Sequence, residues 1–308
     1  FHVADFAATM GTVLSASKSV VLPAFDPGQV LATFAEEKIT HVLMVPSMIK
    51  MMLSHPEVAQ ADVSSLEVLI YGASPMPVAV LERGMGLWSH VSFVQAYGQT
   101  ELAPVATMLS GKDHRAGGDR LKSAGRPTPI NEIRIVGEDG KDCELGESGE
   151  VVVRGPHTMI GYWNKPEETE RALQDGWVFT GDAGYFDDDG YLYIVDRVKD
   201  MVVTGGENVF TTEVENAIAQ HTAVQDVAVI GIPHDEWGES VHAIVILHEG
   251  ESLTEDALID HCRELIAGYK LPKSVTFRDE PMPLSGAGKV LKTELRKPFW
   301  EGRERQVN

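Results

Sequence analysis

The chain is poor in cysteine, in basic residues and in long apolar runs. Only Cys143 and Cys262 occur in 308 residues, which excludes a disulfide framework or a Cys-rich metal site and fits a reducing cytoplasm. Lys and Arg number 26 against 46 Asp and Glu, a formal charge of −20. The basic stripe that a phosphate backbone demands is therefore missing, and nucleic acid is not an expected partner. A small phosphorylated ligand stays open, because a few local cations and backbone amides are enough to hold it. No apolar run approaches the length that spans a bilayer, so no integral membrane segment is expected. The histidines, among them His2, His41 and His90, show no metal-ligand spacing. Asp187-Asp188-Asp189-Gly190 lacks the further ligands of a calcium loop and reads as a hairpin turn.

What is present alternates. Residues 29–37 read as a helix, 41–45 as a buried strand, and 46–52 as a helix opened by Pro46. A strand at 66–70, a helix at about 77–88 and a strand at 91–95 follow. Strand–helix–strand units argue for a parallel sheet, whose carboxyl edge is where ligands bind. From about 120 to 195 the pattern changes to short strands between turns, at 133–136, 149–154 and 191–195, which reads as antiparallel structure with the character of a small barrel. After Lys199 comes a compact α+β module. It has helices at 212–220 and 254–267, the second with Leu258, Cys262, Leu265 and Ile266 on one face, and strands at 227–232, 241–247 and 274–277.

Four blocks carry chemistry. Tyr97-Gly98-Gln99-Thr100-Glu101 joins an aromatic face, a flexible turn, a hydroxyl and a carboxylate. Thr180-Gly181-Asp182-Ala183-Gly184 puts a carboxylate in a Gly-flanked turn. Asp196-Arg197-Val198-Lys199-Asp200 and Pro283-Leu284-Ser285-Gly286-Ala287-Gly288-Lys289 follow. Each has an ordinary reading taken alone. Thr100-Glu101 is a helix cap with a first-turn acid. Asp182 is a turn aspartate, Arg197 an ion pair with Asp196 or Asp200, and Lys289 a solvated lysine. The last block is not a phosphate loop, because Pro283 and Val290 stand where that pattern needs Gly and Ser/Thr.

In their order, and with Tyr71-Gly72-Ala73-Ser74, Gly125-Arg126-Pro127 and Gly205-Gly206-Glu207-Asn208, these blocks resemble the adenylate-forming superfamily. That group holds acyl- and aryl-CoA synthetases, adenylation domains of peptide synthetases and beetle luciferases. The resemblance implies an α/β fold with a β-barrel subdomain. Residues 1–197 would be the remainder of a large AMP-binding domain with its partial parallel sheet and its barrel part at about 120–195, and residues 198–308 a mobile, smaller C-terminal α+β domain. The family's Ser/Thr/Gly-rich loop ending in Lys, which grips the ATP phosphates, has no counterpart here. With Phe1 in first place, the chain reads as the C-terminal portion of a longer synthetase, lacking roughly its first third. By itself such a piece is expected to have little or no adenylation activity.

The resemblance also assigns roles. Gly72, Ala73, Ser74, Ala96, Tyr97, Gly98, Gln99 and Thr100 would form the nucleotide site, with Tyr97 stacked on adenine and Thr100 bonded to the α-phosphate. Glu101 would hold Mg2+, Asp182 the ribose hydroxyls with Arg197 assisting, and Lys289 would catalyse adenylation. Gly205, Gly206 and Glu207 would line the pantetheine tunnel for CoA, Trp237 would meet CoA adenine or be structural, and Lys270 and Lys273 would attract the CoA phosphates. Val94, Gln95 and Met108 would face the acyl pocket, and Lys199 would be the hinge. The expected activity is ATP-dependent ligation of a fatty or aromatic acid to CoA through acyl-AMP. An adenylation domain of another branch and a non-catalytic nucleotide- or acyl-binding fragment are the alternatives.

Overall fold

A computed structural model describes residues 3–137, 139–285 and 289–302. The chain separates into two compact units: residues 1–180 with 184–194, and residues 181–183 with 195–308.

The first unit opens with helix α1 (Val3–Leu14), none of whose residues is buried, and α2 (Pro27–Glu37). Asp26 caps α2, its carboxylate accepting from the Gln29 N–H at 2.8 Å, with Pro27 in the first turn. Strand β1 (His41–Met44), α3 (Pro46–Ser54), β2 (Val68–Gly72), α4 (Val78–Leu87) and β3 (Ser92–Tyr97) follow in alternation. β1, β2 and β3 pair in parallel, in that order. Two antiparallel strands, β4 (Thr107–Leu109) and β5 (Arg126–Pro127), extend the sheet, with the short helix α5 (Gly111–Ala116) between them in sequence. Ile49, Met52, Leu53, Leu69, Tyr71, Leu81, Trp88 and Phe93 are buried together, so the helices close one hydrophobic core on this sheet.

A second, five-stranded sheet occupies the stretch expected to be antiparallel. It is built from β6 (Glu132–Val136), β7 (Gly149–Arg154), β8 (Leu173–Gln174), β9 (Trp177–Phe186) and β10 (Leu192–Arg197), with helix α6 (Pro166–Ala172) before β8. The order is β10-β9-β7-β6, with β8 on β9. Here the structure corrects the sequence reading: Asp182 lies within a ten-residue strand, not in a turn. Gly181 does adopt a left-handed φ of 69°, which a glycine bears without cost. In the sheet β9 lies between β10 and β7.

The second unit contains the hairpin β11 (Val202–Thr204) and β12 (Glu207–Val209), helix α7 (Thr211–Ile218), the long pair β13 (Val224–His234) and β14 (Gly238–Leu247), helix α8 (Glu255–Arg263), strand β15 (Ser274–Phe277) and helix α9 (Lys292–Trp300). Its sheet runs β12-β11-β14-β13, with β15 parallel to β14. Helices α7 and α8 cover one face through Val214, Ile218, Leu258 and Cys262. α9 covers a second cluster through Leu295, with Ile230, Ile244 and Met282. Helix α8 stops at Arg263, short of the expected residue 267, and Leu265 is 44% exposed. Once the helix has ended, its 3.6-residue period no longer turns Leu265 inward.

His242 on β14 is buried beside Phe299, with Nδ1 2.7 Å from Ser274 Oγ and Nε2 3.1 Å from Thr276 Oγ1. Burial pulls its pKa from 6.5 down to about 4. The folded protein therefore binds fewer protons than the unfolded chain between those values, and stability falls as pH drops through that window. Linkage puts the loss at about 3 kcal/mol. A His242→Gln variant is expected to show a shallower decline of Tm between pH 6.5 and 4 than the parent. Parallel acid limbs would show that His242 contributes nothing there.

Candidate active site

The carboxyl ends of β2 and β3 lie side by side, with Gly72 opposite Ala96 in register. A Cβ on Gly72 would sit 2.1 Å from the Ala96 carbonyl oxygen, so strand packing alone requires glycine there. Ala73 next turns left-handed at φ 69°, an uncommon state for a residue with a Cβ that marks a backbone held by its surroundings. Gly72, Ala73, Ser74, Ala96, Tyr97 and Gly98 thus issue from one sheet edge. Tyr97 packs partly buried against a cluster that includes Leu102, Ala106 and Leu192.

Residues Thr100–Leu102 form a single 3₁₀ turn with Gln99 at its cap position and no side-chain cap bond. Thr100 is inside the turn rather than capping it, so the ordinary explanation of the Thr-Glu pair does not apply. Leu102 is fully buried and anchors the turn. The Glu101 carboxylate accepts a hydrogen bond from the Tyr162 hydroxyl at 2.7 Å, and the Glu101 carbonyl accepts from Met159 N at 2.8 Å. Desolvation, helped by that carboxylate, pushes the Tyr162 pKa up to about 12, so the phenol stays a donor. Tyr162 was missed at the sequence level. Its one signal was an aromatic beside Gly161 in a loop, which says nothing about a partner 61 positions away.

Below this edge the Tyr71 hydroxyl lies 2.8 Å from His114 Nε2 and 3.3 Å from Gln95 Oε1. His114 Nδ1 faces the Ser110 carbonyl at 2.8 Å and must carry the proton. Burial holds the His114 pKa down and keeps the ring neutral. Tyr71 therefore donates to His114. Of the residues expected to face the acyl pocket, Gln95 is tied into this group and Met108 is 41% exposed.

A second group forms inside the other unit. Asp182 is 7% exposed and accepts from Arg197 Nε at 3.0 Å. The Arg197 guanidinium thus pairs with neither Asp196 nor Asp200, as its ordinary reading had it. Lys289 lies in the same compact unit. Crowding around its ammonium and the Arg197 charge hold the Lys289 pKa below the usual lysine value, and Asp182 opposes them. Lys289 leaves a closed hairpin: Leu284 bridges Val290, Ser285 N donates to Lys289 O at 2.7 Å, Lys289 N to Ser285 Oγ at 3.1 Å, and Leu291 N to Pro283 O at 2.8 Å. The glycines expected to free this loop, Gly286 and Gly288, lie outside the described residues. Backbone hydrogen bonds join the two sides of the stem that carries Lys289.

A third group surrounds the β11–β12 turn. Gly205 and Gly206 are its two turn residues and Glu207 begins β12. Gly205 N donates to Trp237 O at 3.1 Å. The Trp237 ring is stacked on His234 at 4.5 Å, with Lys273 Nζ 5.6 Å from its centroid. Lys270 is drawn off. Burial opposes its charge, but bonds of 2.7 and 2.8 Å to Glu213 raise its pKa, so it is already neutralised by a carboxylate. Lys199 lies in the turn after β10.

Comparison with known proteins gives these groups a context. Residues 1–163 match the family of AMP-binding enzymes, and residues 213–289 match the AMP-binding enzyme C-terminal domain. A feruloyl-CoA synthase of Amycolatopsis sp is 41% identical over 97% of this chain and 60% of its own length. The medium/long-chain-fatty-acid–CoA ligase FadD8 of Mycobacterium tuberculosis is 43% identical over 96% of this chain and 52% of its own. The structure of o-succinylbenzoate CoA synthetase from Bacillus subtilis, in complex with the acyl-adenylate intermediate OSB-AMP, superposes with a TM-score of 0.84. It is 32% identical and covers 96% of this chain and 58% of that one. The chain thus spans about half to three-fifths of the length of the curated relatives it matches. With the family's two sequence regions and its fold both present, this chain belongs to the AMP-binding enzymes.

Proposed function

We propose that the full-length protein carrying this chain is an ATP-dependent acid–CoA ligase acting on a fatty or aromatic acid. The observation that carries the reading is that Asp182 and Arg197, taken from two separate sequence blocks, pair at 3.0 Å in the same unit that contains Lys289. In the reaction a carboxylate oxygen bonds to the α-phosphorus of ATP and the bond to pyrophosphate breaks. Negative charge gathers on the oxygens in flight, and a fixed ammonium at Lys289 stabilises it. Asp182 accepts from the ribose hydroxyls, with Arg197 beside it, and Thr100 bonds the α-phosphate. The CoA thiol then attacks the acyl carbon and AMP leaves, with Gly205, Gly206, Glu207 and Trp237 along the CoA path.

Glu101 is suited to Mg2+, which takes one or two carboxylates and otherwise phosphate oxygens and water. Tyr162 occupies Oε1, and among the described residues no hydrogen bond is drawn to Oε2. Among those residues there is also no cluster of three His, Cys, Asp or Glu side chains that could hold a metal by itself. The bound ion would neutralise charge on the phosphates. The fatty or aromatic substrate class is supported by the feruloyl-CoA and medium/long-chain relatives. We place the division into a large domain and a mobile C-terminal domain at residues 197/198. Two free cysteines support a reducing, cytoplasmic location, and among the described residues no helix is long and apolar enough to cross a membrane.

The test is pyrophosphate release by the full-length protein with Mg2+-ATP and a panel of fatty and aromatic acids, followed by mass spectrometry for the CoA thioester. Release that requires an acid, and thioester that requires CoA, are expected. No acid-dependent release from any member of the panel would overturn the proposal.

A further inference from the structure

A carboxylate taken out of water is costly unless hydrogen bonds meet it. Glu239, near the start of β14, is fully buried. Side chains alternate along a strand, and the next residues on its face, Val241, Ala243 and Val245, belong to the hydrophobic cluster under α7 and α8. An aliphatic side chain would continue that face. The glutamate occupies a slot that β13 leaves open for it. A Cβ on Gly231 would come within 2.9 Å of Glu239 Oε2, 3.1 Å of its Cδ and 3.3 Å of Oε1. Gly231 sits inside a regular strand without a left-handed φ, so glycine there gives room rather than conformational freedom.

What this carboxylate holds is the β11–β12 hairpin. β11 pairs with β14 at a single register position, Thr204 opposite Gly238. Next to it the Val203 N–H donates to Glu239 Oε2 at 3.1 Å. The side chain thus supplies a bond that the short backbone ladder does not reach, and a buried N–H needs such an acceptor. On the other side of Thr204, Gly205 N donates to Trp237 O at 3.1 Å. The turn itself is tight: Gly205 and Gly206 have left-handed φ values of 60° and 86°, as a two-residue hairpin turn requires. Residues 203, 204 and 205 are therefore tied in order to residues 239, 238 and 237. The Gly205–Gly206 turn and Trp237, two elements of the proposed CoA path, meet at this seam.

We propose that Glu239 is a positioning residue for thioester formation: its carboxylate, admitted by Gly231, accepts the Val203 N–H and so sets the Gly205–Gly206 turn beside Trp237 in the geometry that receives CoA. The inference rests on the proposed place of residues 205–207 and Trp237 along the CoA path. Glu239 is fully buried and acts through the Val203 backbone rather than on CoA. Without the carboxylate the Val203 N–H loses this acceptor and the turn is free to shift. A displacement of about 1 Å is enough to cost a reacting pair about 10²-fold. Adenylation makes no use of this hairpin in the proposed mechanism, so it should not respond.

The experiment uses the full-length protein with Glu239→Ala, with Gly231→Ala, and with Glu239→Gln as the variant that keeps an acceptor oxygen. Thioester transfer from pre-made acyl-adenylate is followed in single turnovers against CoA concentration, and adenylation is measured separately. Glu239→Ala and Gly231→Ala are each expected to raise the half-saturating CoA concentration roughly tenfold. Adenylation should stay within about twofold of the parent, and Glu239→Gln should restore the parent CoA dependence. The double variant Glu239→Ala/Gly231→Ala should be no worse than either single one, because both changes act through one contact. A readout independent of CoA is amide hydrogen exchange: Val203 should exchange faster in Glu239→Ala and not in Glu239→Gln, with protection across β13 unchanged. If Glu239→Ala unfolds the protein, Gly231→Ala tests the same contact with the carboxylate retained. Equal losses in both half-reactions, additive losses in the double variant, a Gln variant as impaired as the Ala one, or unmoved Val203 exchange would overturn the role of Glu239. Gly206→Val, which strains a left-handed turn residue directly, separates the two ideas. If thioester transfer survives it, the hairpin leaves the CoA path and the proposed reading of 205–207 falls. If transfer is lost with it but unchanged in Glu239→Ala and Gly231→Ala, the positioning role of Glu239 alone falls.

Discussion

Replacing Lys289 with Ala in the full-length protein is expected to cut acyl-adenylate formation by a factor of about 10²–10³, the range for losing one preorganised donor to developing charge. Thioester formation from pre-made acyl-adenylate should stay near the parent rate. The asymmetry follows from timing. An interaction accelerates a step only if it strengthens towards that step's transition state. In the proposed mechanism pyrophosphate departure loads charge onto oxygens served by the Lys289 ammonium, whereas thiol attack on the acyl carbon develops its charge elsewhere. The depressed pKa of Lys289 sharpens the prediction. As pH rises, Lys289 loses its proton before an ordinary lysine does, so adenylation should decline on the alkaline side at a pH below the normal lysine range while thioester transfer does not follow it. Measuring both half-reactions against pH in parent and variant decides the matter. Equal losses in the two steps would end the division of labour.

Lys199→Pro should produce the opposite asymmetry, with thioester transfer suppressed and adenylation largely kept. In the proposed mechanism the two steps need different groups over one site: Lys289 for the first, the 205–207 segment for the second. Under the proposed division both belong to the same small domain, and the proposal has that domain turn about Lys199. Such a turn concentrates large φ/ψ changes at a few residues, and proline fixes φ near −65°. The structure places Lys199 between two anchors: Asp196 bound to Thr211 on one side, and Arg296 bound to the Lys199 carbonyl and Asp200 on the other. Stopped-flow traces of each half-reaction, taken with a thermal melt, provide the check. Parallel slowing of both steps together with a lowered Tm would mean that proline had damaged the turn after β10 rather than locked a hinge.

Much of this fold was legible in the residues. Val68–Gly72 and Ser92–Tyr97 were found as strands to within two residues because apolar runs bounded by Gly and Pro have few other uses. The antiparallel character after residue 120 is readable from turn chemistry, whereas the strands that make Gly205-Gly206 a hairpin turn are found only in the structure. The failures have local causes. Helix α8 ends at Arg263 although its apolar spacing continues to Ile266. Asp182 was placed in a turn because two flanking glycines outweigh, in any short window, the ladder partners that make the segment a strand.

By itself the sequence determined the residue types that the proposed chemistry calls on and their order: Thr100 and Glu101, Asp182, Arg197, Lys289. Those properties are carried by side-chain identity and spacing, which require no coordinates. Only the tertiary structure decided which charges meet. It gave Arg197 to Asp182 rather than to its sequence neighbours, Lys270 to Glu213, Tyr162 to Glu101, and Asp196 to Thr211 and through it to Lys292. The reason is physical. A charge or hydroxyl buried on folding must find a partner of the right sign within about 3 Å, and which group stands there is fixed by the packing of whole strands and helices far apart in the chain.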